Sequence, residues 1–143
     1  GISTYNKTER RQYERSTKAH NCVSVNDQNS DEVWGGFRVG RHCKVTVTCD
    51  EKNHVEAYHN GFGKNCYRTF KLNDGCFTIE DRYDGDAISY IHLAPEIDSK
   101  RVVIEGAESV EVHDTKYSVE YNRFIDNKTI AIHFNGVCKY SIK

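Results

Sequence analysis

The closing stretch Ile130-Ala131-Ile132-His133-Phe134-Asn135-Gly136-Val137-Cys138-Lys139-Tyr140-Ser141-Ile142 decides the fold class. Ile130, Ile132 and Phe134 fall on one side of an extended chain, and Cys138, Tyr140 and Ile142 do so again beyond Asn135-Gly136. A period of two belongs to a β-strand with one face toward a core, and Asn-Gly is a strong signal for a tight turn. The alternation extends upstream. Cys43, Val45, Val47 and Cys49 oppose Lys44, Thr46 and Thr48; Val110 and Val112 alternate with Glu111 and His113; Tyr117, Val119 and Tyr121 alternate with polar partners. Ile88–Leu93 is apolar on both sides, as in a strand covered on both faces. Asn60-Gly61, Asn73-Asp74-Gly75 and Tyr83-Asp84-Gly85 add turn signals between these runs. Some nine to eleven short strands at this spacing predict an all-β, mainly antiparallel sandwich or barrel.

A chain of 143 residues forms one domain that buries roughly 70% of its unfolded surface. The nine Tyr and six Phe supply large apolar area despite a hydrophobic content of only 37%, which excludes disorder for most of the chain. A net charge of −1 gives no field for nucleic acid or an anionic membrane, and no apolar run is long enough to span a bilayer. Residues 1–21 differ from the rest: Lys7, Arg10, Arg11, Arg15 and Lys18 outnumber Glu9 and Glu14, and large apolar side chains are few. They read as a polar, basic and loosely docked N-terminal segment, with a short helix after a Thr8 cap and a dibasic pair at Arg10-Arg11. Residues 22–143 read as the single β-rich domain.

Six cysteines, Cys22, Cys43, Cys49, Cys66, Cys76 and Cys138, form an even set with no C-x₂₋₄-C knuckle. That pattern predicts a disulfide framework, and hence a secreted, extracellular protein. The acceptor tripeptides at Asn6 and Asn127 point to glycosylation in the same compartment. Gly1 then reads as a processing scar. Cys43 and Cys49, about 20 Å apart on one strand face, are too distant to bond each other, while the pairing of the six stays open. No metal or other cofactor is expected, because the knuckle spacing of structural zinc is missing and Asp81–Asp86 lacks a calcium-loop pattern.

The search for catalytic chemistry yields one constellation. His54 and Glu56 lie on one face of a strand with Tyr58, and Arg68 and His133 lie on other strands. If these converged, they would supply an acid, a base and a charge stabiliser for RNA cleavage. Trp34, the only tryptophan, is expected in the core, with a sugar-stacking platform or binding anchor as its other reading. Trp34-Gly35-Gly36-Phe37 reads as a turn or bulge.

The polar leader with Arg10-Arg11, the cysteines Cys22 and Cys138 that nearly bracket the globular part, and the short strands between them resemble the small secreted cysteine-rich proteins of fungi, a class that includes plant-pathogen effectors. That resemblance implies a monomeric, non-enzymatic virulence or effector protein binding a host protein or glycan. The alternative reading is a secreted ribonuclease-like hydrolase using His54, Glu56, Arg68 and His133.

Overall fold

The structure, a computed structural model, describes residues 2–142; Gly1 lies outside them. One helix, α1 (Glu9–Glu14), precedes eight strands: β1 (Val23–Ser24), β2 (Val45–Glu51), β3 (His54–His59), β4 (Cys66–Asn73), β5 (Cys76–His92), β6 (Val102–Glu105), β7 (Ser109–Glu120) and β8 (Arg123–Ile142). All strand pairings are antiparallel, in the order β2-β3-β4-β5-β8-β6, with β1 on β5 and β7 on β8. The all-β antiparallel expectation therefore holds. The sheet is open, so it is no barrel.

Two long strands organise everything. β5 pairs with the later part of β8, from Phe77 opposite Ile142 to His92 opposite Thr129, while the start of β8 from Arg123 pairs with β7. The ribbon is interrupted once, between Tyr83 and Asp86, where Gly136 and Asn135 stand opposite. Asp84-Gly85 and Asn135-Gly136, read as turns, are thus the two sides of one mid-ribbon irregularity. Gly85 at φ +135° and Gly136 at φ +83° adopt backbone that L side chains disfavour, and this lets the paired strands bend together. One half of the ribbon carries β4 and β6, and the other carries β1 and β7. Eight strands replace the expected nine to eleven because each ribbon strand absorbs two of the short runs.

The alternation of the closing stretch survives except at Ala131, buried on the opposite face, and Ile142, which is half-buried. Ile130, Ile132, Phe134, Cys138 and Tyr140 are buried, and they pack with Val23, Val25, Tyr83, Ala87, Ile91 and Leu93. Each such large side chain contributes about 1.5–3 kcal/mol by leaving water. Set into this apolar face is one ion pair. Arg68 reaches Asp81 with two nitrogens, at 2.6 and 2.8 Å, and the Ser89 hydroxyl donates to the same carboxylate at 2.6 Å. Asp81 has no exposed surface, so only this bidentate geometry makes its charge tolerable.

The N-terminal segment is anchored, contrary to the loose docking expected of it. Thr8 caps α1 by accepting from Arg11 N, as the sequence suggested. Glu14 accepts from Ser3 N at 2.7 Å, and Ser3, Arg11 and Glu14 are buried. Asn122 N at the tip of the β7–β8 hairpin donates to Ser3 O.

The disulfide framework is corrected outright: all six cysteines are free thiols. Cys66 and Cys138 are buried, and burial pushes both thiols up to about 12, which keeps them protonated and inert. Cys43 precedes β2 rather than lying on it, with its N–H donating to Asp31.

Candidate functional site: an arginine and aromatic platform beside α1

Helix α1 separates two concave surfaces. On one side lies a groove of about 1040 Å³ against the β7–β8 hairpin, with Tyr13, His92, Thr115, Tyr117 and Asn127 among its walls. Most of its charges are paired: Arg10 with Glu14, Lys116 with Asp126, and Asp114 with Lys128, while Glu96 adds a further carboxylate to the wall. Such a surface offers hydrogen bonds but no cluster of cations.

The other side is different. Val33 and Val39 bridge the ends of a small hairpin whose turn is Trp34-Gly35-Gly36-Phe37-Arg38, closed by Trp34 N donating to Arg38 O at 3.0 Å. Gly36 sits at φ +71°, so the turn needs glycine there. Three carbonyls at this turn face the helix and are read by two arginines. Arg11 Nη1 donates to Gly36 O at 2.6 Å; Arg15 donates to Trp34 O, Gly36 O and Arg38 O at 2.6, 2.8 and 3.1 Å. Spacing of four along α1 and its C-cap puts these guanidiniums side by side. The Arg11 guanidinium also lies over Phe37, at 4.9 Å from the ring centre, and that of Arg38 over Trp34, at 5.9 Å.

Among the described residues, no carboxylate pairs with Arg11, Arg15 or Arg38. Arg11 is only 3% exposed, and its Nε has no hydrogen-bond partner at all. A buried cation satisfied by carbonyls and rings alone is electrostatically incomplete. Around it the aromatic side chains face outward: Phe37 is 73% exposed and Trp34 47%, and Tyr5 bridges Phe37 and Tyr121 at ring separations of 5.8 and 5.6 Å. Expected in the core, Trp34 is instead part of an exposed platform. The arrangement suits a ligand with both a flat apolar face and negative charge.

The proposed catalytic set does not assemble. Glu56 lies on the outer face of β3, held by Thr48 at 2.8 Å, Thr69 at 3.2 Å and Arg82 at 3.4 Å; His54 shares that face. Arg68 belongs to the opposite, inner face and is committed to Asp81. His133 is on β8, 3.5 Å from Glu111, which also meets His113 at 2.9 Å. Of the two sequons, Asn6 is exposed, whereas Asn127 is buried in the groove wall with its Nδ2 donating to Leu93 O. The platform residues escaped sequence reasoning because their signal is contact between α1 and a turn some twenty residues away. Only the glycine pair flanked by aromatics hinted at it.

Fold and platform define an antiparallel β-sheet module with a cationic, aromatic loop end. The chain belongs to the heparinase II/III-like C-terminal family, whose sequence profile matches residues 1–142. Its fold is similar to that of the solved heparinase III BT4657 gene product, at TM-score 0.72 and 15% identity over 99% of this chain. It is also similar to heparan sulfate lyase HepC from Pedobacter heparinus, at TM-score 0.65 and 13% identity over 99% of this chain. The chain spans about a quarter of those proteins, 26% and 27% respectively. No curated protein sequence matches it. The family match and these neighbours overturn the kinship with fungal secreted proteins, and with it the effector, virulence and ribonuclease-like readings.

Proposed function

We propose that this chain is the C-terminal β-module of a polysaccharide lyase-like protein and that its platform binds an acidic polysaccharide. The observation that carries the reading is the exposed Arg38 guanidinium set among exposed Trp34 and Phe37, with Arg11 and Arg15 behind it holding the turn and meeting no carboxylate among the described residues. A sugar ring stacks on an aromatic face, and its carboxylate or sulfate groups meet guanidinium forks in charge-assisted hydrogen bonds. Family membership supports the same class of ligand, since the similar solved proteins are a heparinase III gene product and a heparan sulfate lyase.

The test is titration with heparan sulfate and with an uncharged polysaccharide of similar length. Arg38→Ala and Trp34→Ala should each weaken heparan sulfate binding about tenfold, equivalent to about 1.4 kcal/mol, while the folded signal stays intact. Affinity should also fall as salt rises, since exposed ionic contacts are screened. Equal affinity for the charged and uncharged chains, or variants that bind as wild type, would overturn the reading.

A further inference from the structure

A one-residue irregularity in β2 assembles a second site on the far side of the sheet. Up to Val47 the strand keeps simple register, with Val45 opposite His59 and Val47 opposite Ala57. Thr48 is then skipped, and Cys49 pairs with Glu56, Asp50 with Val55, and Glu51 with His54. A bulge of one residue reverses which face each later side chain occupies. Cys49, which simple alternation would place beside Val45 and Val47, is thereby moved to the outer face with Glu51, His54 and Glu56.

The result is a tight cluster at the end of the β2–β3 hairpin. Cys49 Sγ lies 3.7 Å from His54 Nδ1. One ligand atom from each of Cys49, Glu51 and His54 lies within 4.8 Å of the other two. Tetrahedral zinc with Zn–S near 2.3 Å and Zn–N near 2.05 Å requires sulfur and nitrogen about 3.6 Å apart. The observed pair is at that spacing without rearrangement. Glu51 is exposed and directly opposite His54 across the turn, so its carboxylate is free to close on the same point.

We propose that Cys49, Glu51 and His54 form a binding site for a zinc-type divalent cation, with water in the fourth position. The donor set selects the ion. A thiolate and an imidazole suit zinc and disfavour calcium and magnesium, which take oxygen ligands. Thiolate and carboxylate together neutralise the dication, and the thiol proton leaves to solvent as the Zn–S bond forms. Glu56 is a neighbour rather than a ligand, because Thr48, Thr69 and Arg82 already occupy its oxygens. The sequence pattern is Cys-x-Glu-x₂-His across a hairpin turn, which a search for two-cysteine knuckles passes over.

The experiment is titration of the reduced chain with Zn²⁺ against a chromogenic chelator, and with Co²⁺ as a spectroscopic stand-in. The site gives one equivalent of bound metal and a thiolate-to-cobalt charge-transfer band that disappears in Cys49→Ser. Glu51→Gln and His54→Gln each weaken zinc binding tenfold or more, on the order of 1.4 kcal/mol. Cys76→Ser changes nothing. A band that persists in Cys49→Ser, or that vanishes instead in Cys43→Ser, overturns the assignment. If the Cys49 variant fails to fold, thiol labelling of the unmodified chain decides. Zinc must slow alkylation of Cys49 while leaving Cys76 at its original rate, and equal rates for Cys49 with and without zinc overturn the proposal.

Discussion

His92 shows how a single side chain couples the N-terminal segment to the sheet. Its Nε2 is 2.9 Å from Lys18 O, and because a carbonyl only accepts, Nε2 carries the proton. Nδ1 therefore accepts from the Thr129 hydroxyl, 2.9 Å away, and Thr129 continues the chain to Thr115 at 2.8 Å. Burial holds this imidazole below its usual 6.5, opposed by the bond to Lys18 and assisted by the nearby His20. The folded protein thus prefers the neutral ring, and the unfolded chain takes up the proton first. Stability supplied by His92 is complete above 6.5 and is lost as pH falls from there through the lower folded value. His59, also lowered by burial, acts in the same direction. Urea unfolding at a series of pH values should show this decline, and His92→Gln should make it shallower. The difference in slope should be a fraction of one proton, whose ceiling is about 1.4 kcal/mol per pH unit. An unchanged slope in the variant would remove His92 from the account.

At the scale of elements, glycines set where strands bend and where they meet. Gly136 has φ +83° and open space where a Cβ would stand, so Gly136→Ala faces backbone strain alone, about 1–2 kcal/mol. Gly106, between β6 and β7, has φ +76°, and a Cβ there would sit 2.7 Å from Val137 O. Thermal melts should therefore rank Gly106→Ala as clearly less stable than Gly136→Ala, and the reverse order would contradict the ribbon geometry. These elements also show what the sequence carried. The alternation of Ile130, Ile132 and Phe134 and the Thr8 cap were legible because each depends on neighbours in the chain. Asp84-Gly85 and Asn135-Gly136 look locally like hairpin turns. Only their position opposite each other makes them one bend, and that register is not a local property. Trp34 and Cys49 were misplaced for related reasons: one depends on where α1 docks, the other on a bulge that no residue type announces.

For the whole molecule, the decisive fact is that both halves of the sheet hang on one β5–β8 ribbon. Opening that ribbon separates β5, carrying β1 and β4, from β8, carrying β6 and β7, whereas β2 can part without disturbing it. Free energies of opening should accordingly form a gradient running outward from the centre. In deuterium exchange, amides of Ile130, Ile132 and Phe134 should be the last to label, at a rate set by global unfolding. Those of Thr46 and Thr48 should label first. Uniform protection across the sheet would show that the ribbon has no such privilege. The gradient also bears on the two proposed sites, which both lie toward its soft margins. A ligand captured at either margin tightens structure that fluctuates most, so its presence should be recorded as slowed exchange nearby while the centre keeps its own clock.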